Sequence, residues 1–171
     1  MKRSLYFLAL LLLSIAAFAQ SPESKLSALG ITLPPVKKPV ANYVNLVQSG
    51  NLLFLSGKGP TKPDGTDITG KLGGNLSIEQ GYEAARYVAI NHLAVLKDYL
   101  GDLGRVKRVV KVLGMVGSES HFTDQPKVMN GYSDLMVAVF GDKGKHARSA
   151  VGMVALPNNI AVEVEVIVEI E

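Results

Sequence analysis

The sequence predicts an α+β domain whose five strands and two long helices follow the order β-β-α-β-α-β-β. Three stretches carry that prediction. Residues 162–170 alternate strictly: Val162, Val164, Val166, Val168 and Ile170 face one way, and Glu163, Glu165, Ile167 and Glu169 the other. Period two is the mark of a strand with one buried face. Ile78, Tyr82, Ala85, Ala89, Leu93, Leu96 and Leu100 recur at steps of three and four, as do Met129, Tyr132, Leu135, Met136 and Val139. Each set makes one apolar helix face. Both helices then share one face of one sheet. The other face keeps apolar outward residues such as Met153 and Ile167, so a partner subunit is expected there.

From the N-terminus, residues 1–19 read as a basic start, an apolar run from Leu5 to Ile15 and a small-x-small site, Ala17-Phe18-Ala19. This is the pattern of a secretory signal peptide, so export to a periplasm or the exterior is expected, with Gln20 as the mature N-terminus. An uncleaved anchor is the alternative, although the run is short of the ~20 residues that span a bilayer. Residues 20–41, with Pro22, Pro34, Pro35 and Pro39, read as a brief helix and an extended arm, and residues 42–171 as the domain proper. Two strands, 43–47 and 52–56, flank a tight turn at Ser49-Gly50-Asn51. Gly57-Lys58-Gly59-Pro60 closes the second, and residues 61–75 are rich in turns.

Ser77 with Gln80 three residues on opens the first long helix as a capping box, and Gly101 ends it. Valine-rich 106–116 reads as a buried strand. The second long helix starts near Asp124 with Pro126 in its first turn and stops at Gly141. Two strand segments follow, separated by Pro157-Asn158-Asn159, and by pattern alone they read as a terminal hairpin.

Composition excludes several functions. The chain has no cysteine, hence no disulfide, thiolate nucleophile or cysteine-ligated metal. Lys2 and Arg3 supply two of its 18 basic residues against 15 acidic ones, which leaves +1 beyond the leader. That balance, with no tryptophan and few aromatics, argues against nucleic acid as a partner. His92, His121 and His146 lack metal-ligand spacing, and Gly57-Lys58-Gly59 lacks that of a phosphate loop, so neither metal nor cofactor is expected.

The polar residues on apolar elements are the site candidates, and each has a plain alternative. Arg148, at the head of an apolar strand, suits a carboxylate with its planar fork of donors, or is a surface arginine, or one paired with a neighbouring acid. Glu163 suits a general base or a water-holding group, or is one of several acids on a half-exposed strand. Asn130, on the second helix, fixes a ligand's polar end or satisfies its own helix. Ser56 and Gly57, at a strand end, offer backbone N–H groups; Ser56 has no base within local reach to make it a nucleophile.

These pieces come in a meaningful order: Asn42-Tyr43-Val44, LFLSG at 53–57, Val128-Met129-Asn130, Ala147-Arg148-Ser149, Ala155-Leu156-Pro157 and Val162-Glu163-Val164-Glu165. The ordered set resembles the RidA/YjgF family of reactive-intermediate deaminases, also called endoribonuclease L-PSP-like, over about residues 41–170. GNLLFLSG, RVKRVVKV and GKHARSAVGMVALP are similar to its longer, poorly characterised branch. The resemblance implies a chorismate-mutase-like fold with a strand between the last two, and a homotrimer with ligand clefts between subunits. It implies hydrolysis of imines such as 2-imino acids to 2-keto acids and ammonia, or a trimer that binds small carboxylates without turnover. Arg148 matches the family's carboxylate-gripping arginine and Glu163 its water-placing acid. Tyr43, Ser56, Gly57 and Asn130 match other cleft positions. The chain departs from the family pattern at Ala150, where active members often carry cysteine, and at Lys58, a glutamine-like position.

Overall fold

A computed structural model describes residues 20–39 and 41–171; the expected leader at 1–19 lies outside the described residues. The elements are α1 (Pro22–Ala28), β1 (Leu46–Ser49), β2 (Leu52–Lys58), α2 (Ile78–Leu100), β3 (Val106–Gly117), α3 (Gln125–Phe140), β4 (Ala147–Met153) and β5 (Val162–Ile170). The strands form one mixed sheet in the order β1-β2-β5-β3-β4. β3 and β4 run parallel, and every other neighbouring pair is antiparallel. β3 thus lies between the last two strands, and the terminal hairpin that alternation suggests does not form. β5 is instead central, which is why all five of its inward residues are buried.

Both long helices cover one face of this sheet, packing against each other, with α2 on β2 and β5 and α3 on β3 and β4. The capping box forms in both directions: Ser77 Oγ accepts from the Gln80 N–H, and Gln80 Oε1 accepts from the Ser77 N–H. At the far end Gly101 turns left-handed and its N–H closes on the Lys97 carbonyl. The crossing with α3 is close because Gly131 lies against the Tyr82 carbonyl, where a side chain has no room. α1 docks on α3 through buried Leu26, and Glu23 accepts hydrogen bonds from Lys97 Nζ and the Leu103 N–H.

Three expectations need correction. The first strand covers Leu46–Ser49 rather than 43–47, so Tyr43 precedes the sheet. Its segment is held instead by Ser56, whose N–H and hydroxyl donate to the carbonyls of Asn45 and Val44. The second strand runs on through Gly57 and Lys58, because β5 extends beside it and a bulge between Leu55 and Lys58 absorbs the change of register. On α2, Ile78 and Tyr82 are only half-buried, and the centre of the buried face holds Val88, Ala89, His92 and Leu93.

The ladder registers separate the two faces. One row crosses all five strands as Leu46, Leu55, Val166, Val112 and Arg148. Its middle three members are in the core, so the row faces the helices and ends in a cation at the open edge. The row of the opposite face runs Val47, Phe54, Ile167, Lys111 and Ala147, with Glu165–Leu113–Ser149 and Glu163–Met115–Val151 beyond it. Among the described residues no helix covers that face, and Val47, Phe54 and Val151 are among its exposed apolar residues.

Candidate functional site

The candidate residues fall into two clusters on opposite faces of the sheet. The first surrounds Arg148. Pro126, Asn130 and Ser133 stand four and three residues apart on α3, so they form one stripe facing β4. Arg148 Nη1 donates to Asn130 Oδ1 at 3.1 Å and to Ser133 Oγ at 2.9 Å, and Nη2 donates to the Pro126 carbonyl at 3.3 Å. All three acceptors are uncharged, and among the described residues no carboxylate lies within ion-pair distance of the guanidinium. Among the described residues the alternative of an arginine paired with a neighbouring acid therefore does not hold. Of the five N–H donors, both on Nη1 and one on Nη2 are engaged. Nε–H and one Nη2–H remain for a ligand, and an anion would find positive charge not already neutralised.

The second cluster lies at the β2–β5 seam. Gly57 sits directly under the Glu163 carboxylate, so close that a methyl group there would collide with it. Glu163 is half-buried; burial first, and the Glu165 charge second, push its carboxyl above the usual range. No described cation forms an ion pair with it. A carboxylate of raised basicity and without a partner is suited to take a proton. Ser56 is beside Gly57, but its hydroxyl is already donated to the Val44 carbonyl at 2.7 Å, which anchors the segment behind Tyr43. Tyr43 itself is 53 % exposed.

Between the clusters runs a set of core residues that spacing did not reveal. Tyr132 is fully buried with His92 edge-on at 5.8 Å and His146 edge-on at 6.3 Å. His92 Nε2 is 3.2 Å from the Ser56 carbonyl, which only accepts, so Nε2 carries the proton and Nδ1 accepts from the Tyr132 hydroxyl at 3.0 Å. Burial drives the His92 pKa down to about 4. His92 thus fixes β2 at Ser56 from the helix side. His146 and Ser133 lie on the Arg148 side at 3.0 Å from each other. The histidines are scattered in sequence, yet two of the three meet on one tyrosine. Ser133 had a legible signal: it stands one turn beyond Asn130.

This arrangement defines an α+β protein with a two-helix layer on one side of a mixed sheet, a cation on that side and an unpaired acid on the other. Residues 23–170 match the family described as "YjgF/chorismate_mutase-like, putative endoribonuclease", and the chain belongs to it. Among its relatives, protein TCP17 of Trypanosoma cruzi is 46% identical over 148 residues, 86% of this chain and 92% of that one. The crystal structure of an Agrobacterium tumefaciens protein of unknown function is 43% identical, covers 88% of this chain and 94% of its own, and superposes with a TM-score of 0.81. A Shewanella oneidensis structure described as a "putative endoribonuclease" is 32% identical, covers 88% and 100%, and gives 0.85.

Proposed function

We propose that the protein hydrolyses small reactive imines and enamines, 2-imino acids in particular, to 2-keto acids and ammonia, in clefts between the subunits of a homotrimer. The observation that carries this reading is the division of Arg148 from Glu163. One chain turns them to opposite faces of its sheet, with β3 between their strands and, among the described residues, each without an ionic partner. Packing the bare face of one copy against the β4 edge of the next brings an arginine and an acid into one cleft and covers Val47, Phe54 and Ile167.

In such a cleft the free Nε–H and Nη2–H of Arg148 grip the substrate carboxylate, and Glu163 of the neighbouring copy holds a water over the imine carbon. The iminium is already electrophilic, so positioning and proton transfer suffice. Water oxygen bonds to the carbon as its proton passes to Glu163 and the C=N electron pair moves to nitrogen. Nitrogen then takes a proton and leaves as ammonia while the remaining hydroxyl loses its proton and becomes the keto oxygen. A raised Glu163 pKa favours its service as an acceptor near neutral pH.

The test generates 2-iminopropanoate with an amino-acid oxidase and follows pyruvate release. The reading predicts acceleration by the wild type and none by Arg148→Ala; no acceleration by the wild type would sink it. A second reading, carboxylate binding without turnover, is favoured by the Arg148 cluster being complete within one chain. It predicts pyruvate binding that Arg148→Ala abolishes and Glu163→Gln leaves intact, with no turnover. A ribonuclease role finds little support: the charge beyond the leader is near neutral, His92 is buried, His146 is engaged on both nitrogens, and only His121 is exposed. We also propose that residues 1–19 direct export. Intact-mass measurement of protein from an exporting host then gives a chain starting at Gln20, and full-length mass from the soluble cell interior would reject export.

A further inference from the structure

We propose that Ser133 and His146 form a positioning couple that fixes the Arg148 guanidinium, so that its free edge is presented ready-made to the ligand. The carboxylate ligand rests on the reading above; the couple itself rests on hydrogen-bond direction. His146 Nδ1 is 2.7 Å from the Gly144 carbonyl, which only accepts, so the proton is on Nδ1 and Nε2 is bare. Nε2 then accepts the Ser133 O–H at 3.0 Å. With its proton committed, the Ser133 oxygen turns its lone pairs to Arg148 Nη1 at 2.9 Å, the shortest of the three bonds that hold the guanidinium. Ser133 is also half-buried where Asn130 is exposed, so its bond is the better shielded from water.

The ring of His146 is held in turn by its T-shaped contact with buried Tyr132, so the chain of constraint starts in the core and ends at the cation. Burial, helped by the Arg148 charge and opposed by the Gly144 bond, keeps the imidazole neutral, the form in which Nε2 accepts. Neither residue touches the ligand edge. Both act through Arg148, and His146 acts through Ser133. A guanidinium held this way loses less freedom when a carboxylate arrives.

The experiment uses the full-length protein labelled with 15N. Two-bond 15N–1H spectra of the wild type should show His146 protonated on Nδ1 at pH 7, and the Arg148 Nε–Hε signal should be sharp and rigid. Ser133→Ala should broaden that signal and weaken pyruvate binding about tenfold, the loss expected for one shielded hydrogen bond to a charged group. Ser133→Thr, which keeps the hydroxyl, should restore both. His146→Phe keeps the ring on Tyr132 and should weaken pyruvate binding about threefold, with no further loss in the Ser133→Ala background, because serial contacts do not add. An Nε2-protonated His146, or an Arg148 signal indifferent to Ser133→Ala, overturns the couple. If the wild type fails to bind pyruvate, the carboxylate reading falls, while the tautomer and the Arg148 signal still decide the couple.

Discussion

The Arg148 and Glu163 regions are finished to different degrees within one chain. Around Arg148 every partner is supplied locally: a stripe on α3 gives three neutral acceptors, and a histidine backs the last of them, Ser133. Around Glu163 the chain provides a bare glycine, a neighbouring acid and an open sheet face. A cation can be oriented by its own subunit because helix carbonyls, amides and hydroxyls all accept hydrogen bonds. Among the described residues the acid has no cation within ion-pair distance, and burial with the Glu165 charge keeps it basic. The contrast is what the proposed cleft between copies requires: one chain offers the cation on one side of its sheet and the acid on the other.

Substitutions can break the two halves separately. The largest effect is expected at Arg148. Arg148→Ala should lower kcat/KM for 2-iminopropanoate by at least about a hundredfold, on the scale of losing a preorganised charged donor, and abolish pyruvate binding. Arg148→Lys should rescue little, since one ammonium cannot satisfy three fixed acceptors and still present a fork. Glu163→Gln should cost about a hundredfold in kcat, with pyruvate affinity retained. Steady-state kinetics beside a binding titration reads the split; equal loss of binding in both variants would erase the distinction between the halves.

The core between them sets smaller effects, on stability. Because the folded-state pKa of His92 is depressed to about 4 from an ordinary 6.5, its neutral form is kept in the fold while the unfolded chain binds a proton. Its contribution is therefore fully present above pH 6.5 and is lost as pH falls toward 4, about 3 kcal/mol over that window. Urea denaturation at pH 7 and pH 4.5 measures it, and His92→Gln should flatten the dependence. Tyr132→Phe removes the donor to His92 Nδ1 and should cost about 1–3 kcal/mol while leaving pyruvate affinity within about twofold, since the ring edge on His146 remains.

Much of this was legible before any coordinates. Alternation in 162–170 gave both the strand and its faces, and Ser77, Gln80 and Gly101 gave both ends of α2, because these signals are local and repeat along the chain. Arg148 and Glu163 were legible as candidates, but their assignment to opposite faces depends on the register of β3 against both β4 and β5, a relation among three separated segments. The meeting of His92, Tyr132 and His146 was not legible for the same reason. Tyr43 was misplaced on a strand because its residue type favours one, whereas the ladder begins only at Leu46.

The most direct test of a site shared between copies is complementation. Arg148→Ala and Glu163→Gln chains, each expected at about a hundredth of wild-type activity or less alone, are co-expressed with different tags and the mixed trimers purified. A cleft that takes Arg148 from one chain and Glu163 from its neighbour predicts that mixing recovers wild-type clefts, about a third of the total, because every mixed cyclic trimer has one such junction among its three. Pyruvate release should return to about that fraction of the wild-type rate. Mixed trimers no more active than either parent, beside an active wild type, would contradict the shared cleft.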